Sequence, residues 1–181
     1  MTAFKYDSNS IMRSVIRIIV NIILVISAAW FIVYAFLNQT IVSGNSMTPV
    51  LDAGDICLVN RLGYDLGKPE RYDVILFERS DTGKTNIKRI VGLPGEAVQI
   101  SAGLVYINGE PLMDERLGVI ALAGLADNEL ELGKDEYFVI GDNSDSSEDS
   151  RFSNIGNIRR QSIKGKLWMR IKPYNKAGLI R

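Results

Sequence analysis

A serine set between glycine and proline, in Gly44-Asn45-Ser46-Met47-Thr48-Pro49, is the first group in the chain with nucleophilic potential. Such a turn exposes a hydroxyl and lets nearby backbone N–H groups point at an oxyanion, although Gly/Pro turns hold plain serines equally well. The chain has no histidine. No Ser-His-Asp or Cys-His arrangement and no His-ligated metal site can be assembled, so a base must be Asp, Glu, Lys or Tyr. Lys88, in Asn86-Ile87-Lys88-Arg89-Ile90-Val91, is the candidate. On a strand it shares a face with Ile90. Apolar surroundings lower a lysine pKa from about 10.4 by as much as about 3–5 pH units, which makes the amine a proton acceptor for serine. The alternative is a solvated lysine on an edge strand.

A third segment, residues 141–151 (GDNSDSSEDSR), is dense in short polar groups. It lacks the Gly and the Glu that an EF-hand loop needs at its sixth and twelfth places. What remains is a solvated loop or a set of hydroxyls and carboxylates that orients a lysine. The single cysteine, Cys57, allows no disulfide within the chain and no cysteine-based zinc site, and reads as a small core residue. No metal or cofactor is expected. Net charge is zero, so composition gives no reason to expect a nucleic-acid partner.

These groups need a scaffold. Residues 18–37 (IIVNIILVISAAWFIVYAFL) form a twenty-residue run without charge, long enough to cross about 30 Å of hydrocarbon as a helix. Lys5, Arg13 and Arg17 precede it, and the next cation is Arg61. The positive-inside rule therefore expects residues 1–17 in the cytoplasm, an uncleaved anchor at 18–37, and an extracytoplasmic domain at 38–181. In that domain short runs rich in β-branched and aromatic residues, at 55–60, 73–78, 86–91, 97–100, 104–107, 137–140 and 167–171, are predicted strands. Asn108-Gly109 predicts a hairpin, and Leu93-Pro94-Gly95 a turn. Residues 115–130 are read as a loop with a short helix. Met47 belongs either to the core or to an apolar surface resting on lipid, with Trp168 and Met169 elsewhere on it.

The anchor, the Ser46 segment, Arg71-Tyr72-Asp73-Val74-Ile75-Leu76-Phe77, the Lys88 segment and residues 141–151 follow in the order found in bacterial type I signal peptidases, which the chain resembles over most of its length. The resemblance implies a mostly β catalytic domain of antiparallel sheet after one transmembrane helix, with the family's accessory second β-domain small or absent. It implies a serine endopeptidase that removes signal peptides after small Ala-X-Ala residues through an acyl-enzyme. Ser46 then is the nucleophile, its own N–H an oxyanion donor, and Lys88 the general base. Ser147 matches the serine that holds the lysine amine. Arg89, Asp142, Asp149 and Arg151 match charged positions bracing the site, and Val42, Leu51 and Ile87 match walls of the substrate pocket. The implied partners are preprotein signal peptides, membrane lipid and the secretion translocon. The chain departs from the family pattern at Gly44, where many relatives carry an oxyanion-stabilising serine. It departs again at Ser144, in place of an arginine, and at Tyr72, in place of a glycine. An inactive or narrowly dedicated assembly factor, for instance in pilus biogenesis, is the competing reading. A self-cleaving repressor of the same Ser/Lys class is disfavoured by the anchor.

Overall fold

The computed structural model describes residues 8–36 and 38–180, so Lys5 and Leu37 lie outside the described residues. Helix α1 (Ser8–Phe36) begins well before residue 18 and runs through Arg13 and Arg17. Arginine is a good helix former and its stem lies comfortably along apolar surface, so the last charge before the run does not stop the helix. The stretch Ile11–Tyr34 presents 24 residues, about 36 Å of helix, with its side chains exposed. Trp30 and Tyr34 stack near its C-terminal end.

The chain passes almost directly from helix to sheet. Asn38 donates its side-chain amide to the Tyr34 carbonyl at 2.7 Å, satisfying one orphan acceptor of the helix end. Strands β1 (Asn38–Ile41), β2 (Ile56–Asn60), β3 (Val74–Glu78) and β4 (Thr85–Gly92) follow, with a five-residue helix α2 (Leu62–Leu66) between β2 and β3. Then come β5 (Ala97–Ser101), β6 (Leu104–Ile107), β7 (Glu110–Pro111), β8 (Leu130–Glu131), β9 (Glu136–Ile140), β10 (Ile158–Arg159), β11 (Ile163–Lys172) and β12 (Gly178–Leu179). Every pairing is antiparallel. The large sheet has the order β1-β2-β11-β3-β4-β9-β10, with β12 alongside β11.

A second, four-stranded sheet has the order β7-β6-β5-β8 and stands where the resemblance allows for a small accessory β-domain. Its inward side chains (Val98, Ile100, Val105, Ile107) share one apolar cluster with Val91, Phe138 and Ile140 of the large sheet, which fixes the two sheets to each other. Asn108 (φ 52°) and Gly109 (φ 81°) form the expected two-residue hairpin between β6 and β7. Residues 115–130 carry two 3-10 turns, Glu115–Leu117 and Gly124–Asp127, and run into β8 at Leu130.

Candidate active site

Ser46 sits on a 14-residue excursion between β1 and β2, whose ends are tied where Val42 N–H donates to Asp55 O and Gly54 N–H to Val42 O, each at 2.9 Å. The excursion is anchored from within. Met47 and Leu51 are fully buried with Val42, Cys57, Val59, Val74, Ile87 and Leu167. Burial of two such side chains contributes several kcal/mol, roughly 1.5–3 each. Met47 is therefore core, and the lipid-facing role considered for it is excluded. Cys57 is buried in the same cluster, as expected. The turn is closed by Thr48 N–H donating to Asn45 O at 3.2 Å. Gly44 takes φ +94°, a conformation that side-chain-bearing residues rarely adopt, which accounts physically for glycine at that place. Among the described residues the Ser46 N–H has no internal acceptor, while the Ser46 carbonyl accepts from Asn143 N–H at 3.0 Å.

Lys88 is on β4, in the middle of the large sheet rather than at its edge. Its cross-strand partner on β3 is Ile75, itself buried. Only 4% of Lys88 is exposed. Its Nζ lies 2.7 Å from Ser46 Oγ. Burial pushes the lysine pKa down from 10.5 to about 8, against the attraction of the Asp149 and Glu148 carboxylates, which favour the ammonium.

The polar segment 141–151 is a buried network rather than a solvated loop. Arg89 makes a two-pronged ion pair with Asp142, both bonds 2.7 Å, and donates to Tyr72 O at 2.8 Å. Tyr72 holds φ +71° at this point, the left-handed conformation natural to the glycine it replaces. Its ring lies against the Arg116 guanidinium. Arg151 pairs with Asp149 through Nε at 2.8 Å and Nη2 at 3.0 Å. Asp149 Oδ2 also accepts from Ser147 Oγ at 2.6 Å and from Gly141 N–H at 3.0 Å. Arg151 reaches out to the carbonyls of Ser144 and Leu122. A Cβ on Gly141 would overlap both Ser147 Oγ and the Ser46 carbonyl, so glycine lets these two residues meet. Among the described residues Lys88 makes no hydrogen bond to Ser147, whose hydroxyl proton is committed to Asp149.

A cleft opens at Ser46 and Lys88. Val42 and Ile87 line it, together with Met47 and Leu76. Leu51 does not; it lies fully buried beneath the wall, in the same apolar cluster. Thr85, Asn86 and Glu148 form a polar side of the cleft that sequence reasoning passed over. Their signal was positional: Asn86 precedes Lys88 by one strand repeat, and Glu148 follows Ser147. No group of three or more His, Cys, Asp or Glu side chains among the described residues is arranged to hold a metal ion.

A buried lysine against a serine hydroxyl, in antiparallel sheet behind an apolar helix, defines a class of proteins. Residues 13–172 match the family described as signal peptidase, peptidase S26. The chain is 32% identical over 145 residues to a probable signal peptidase I-2 of Synechocystis sp., covering 77% of this chain and 65% of that protein, just under two thirds. It is 30% identical over 178 residues to a signal peptidase I of Bacillus licheniformis, covering 92% and 91%. The crystal structure of a signal peptidase I from Enterococcus faecalis aligns over 55% of this chain and 97% of its own, at 30% identity and a TM-score of 0.46. The chain belongs to the signal peptidase family, the S26 family of serine peptidases.

Proposed function

We propose that the protein is a membrane-anchored endopeptidase that removes signal peptides from secreted preproteins, with Ser46 as nucleophile and Lys88 as general base. The observation that carries this is the 2.7 Å approach of Lys88 Nζ to Ser46 Oγ in a setting that keeps the lysine pKa near 8. With the amine neutral, the serine hydroxyl donates to its lone pair, and Oγ attacks the carbonyl after the signal sequence. The proton held on Lys88 passes to the departing amine, leaving an ester on Ser46. Lys88 then takes a proton from water, which attacks the ester and frees Ser46. The unpaired Ser46 N–H receives the developing oxyanion. The family resemblance gives Ser147 the part of holding the lysine; in this structure its hydroxyl donates to Asp149 instead, and it ties that carboxylate into the wall behind Lys88. The Arg89–Asp142 and Arg151–Asp149 pairs brace both halves of the site.

In this reading the small cleft beside Val42, Met47, Leu76 and Ile87 accepts the Ala side chains of an Ala-X-Ala sequence. The N-terminal segment 1–17 is cytoplasmic, 18–37 spans the membrane, and 38–181 works outside, where signal peptides leave the bilayer and the translocon. The support is the run of exposed apolar side chains on α1 and the cations Arg13 and Arg17 at its start. The test is cleavage of an Ala-X-Ala preprotein by the detergent-solubilised protein, with the product's N-terminus sequenced. A product beginning directly after the second Ala, and none with Ser46→Ala, is expected. Cleavage surviving Ser46→Ala contradicts the proposal.

A further inference from the structure

The cleft is lopsided. One side is apolar, and the other presents hydrogen-bond acceptors: the Thr85 hydroxyl, the Asn86 amide oxygen and the Glu148 carboxylate. Asn86 and Thr85 are at the start of β4, and neither side chain makes a hydrogen bond among the described residues. Glu148 is 64% exposed at the mouth and meets Arg79 at 3.2 Å. That guanidinium is already engaged two-pronged by Asp81, at 2.9 and 2.6 Å. Glu148 is the one carboxylate in the lining of the cleft, Asn154 donates to it at 3.4 Å, and the cation that meets it is shared with Asp81, while Lys84 lies just before Thr85 outside that lining. The other cation in the cleft is Lys88, which must be neutral to act as a base.

We propose that Glu148, with Asn86 and Thr85, selects substrates carrying a basic side chain within a few residues of the scissile bond, and disfavours an acidic one. An ammonium or guanidinium has only donors, and it finds acceptors here in the Glu148 carboxylate, the Asn86 amide oxygen and the Thr85 hydroxyl, while the donors of this wall, the Asn86 NH2 and the Thr85 O–H, are uncharged. A carboxylate beside Glu148 meets like charge. The side chains of Val42, Met47, Leu76 and Ile87 carry no charge and cannot make this distinction. The inference rests on the peptidase reading above.

The experiment varies one preprotein, placing Ala, Glu or Lys singly at each position from four before the cut to three after it. kcat/KM is measured with the full-length detergent-solubilised protein and with Glu148→Gln and Glu148→Lys. At low salt, Lys is expected to exceed Glu by about five-fold or more at one position, as suits a charge pair at a solvent-exposed rim. That ratio is expected to shrink in Glu148→Gln, to reverse in Glu148→Lys, and to fall in about 0.5 M NaCl. The ratio, not the overall rate, is the readout. Equal cleavage of Lys and Glu substrates everywhere, or an unchanged preference in Glu148→Lys, overturns this inference and leaves the peptidase reading standing. Absence of cleavage of every substrate overturns both.

Discussion

Lys88→Met is expected to abolish cleavage and yet to make the folded protein more stable at neutral pH. The folded state holds the amine at a pKa of about 8, against 10.5 when free. At about 1.4 kcal/mol per pH unit, carrying the buried ammonium at pH 7 costs the fold about 3 kcal/mol. The sign follows from proton counting. Between about pH 8 and 10.5 the unfolded chain holds the proton and the folded one does not, so wild-type stability rises with pH across that window. Methionine has a similar shape and no charge, and it forfeits only the bond to Ser46 Oγ, about 1 kcal/mol. The variant should therefore be more stable than wild type by about 2 kcal/mol at pH 7. The advantage should vanish as pH climbs toward 10.5, where the lost hydrogen bond tips the balance the other way. Urea unfolding followed by the fluorescence of Trp168 on β11, at pH 7, 9 and 10.5, measures it. A variant less stable than wild type at pH 7, or a difference that ignores pH, refutes the argument that burial lowers the Lys88 pKa.

Gly141→Ala should cut kcat/KM by about a hundred-fold or more while the protein stays folded, because the added methyl displaces Ser46 and Ser147 together; activity and circular dichroism on one preparation decide it. Asp149→Asn leaves the buried Arg151 guanidinium without its counter-charge and should cost about 3–5 kcal/mol in thermal or urea unfolding. Adding Arg151→Met to that variant should recover part of the loss, a non-additivity that merely independent sites would not give. Cys57 is buried and its thiol is pushed up to about 11 by burial, so a maleimide should leave the native protein unmodified and active, and should label it only in denaturant.

Much of the scaffold was legible because its signals are local. The short β-branched and aromatic runs at 73–78 and 86–91 mark strands by length and composition, and Asn108-Gly109 signals a tight hairpin. The short strands β1, β8, β10 and β12 were not predicted: two to four residues give no period, and their pairing is decided by neighbours far along the chain. The apolar run at 18–37 marks the expected span, whereas the helix that carries it starts at Ser8, since a helix continues through arginines that a membrane core would not hold. In the site, Ser46 and Lys88 were each ambiguous alone, and it was the order of the segments, which resembles type I signal peptidases, that gave them their roles. Their meeting across 42 residues comes from tertiary packing of Met47 and Leu51 under the loop, which spacing cannot reveal. Leu51 was expected in the pocket wall because it matches a wall position of the family the chain resembles; its burial beneath the wall is a matter of which face of the turn it occupies. The polar segment 141–151 read equally well as solvated loop because composition does not distinguish a charge that faces water from one that faces Arg89.

The most direct test of the dyad is the pH dependence of single-turnover cleavage of an Ala-X-Ala preprotein by wild type and Lys88→Ala. The account expects the wild-type rate to rise as pH increases through about 8, where the buried amine sheds its proton, and no measurable cleavage by the variant. A flat wild-type profile from pH 6 to 10, or full activity in Lys88→Ala, contradicts it.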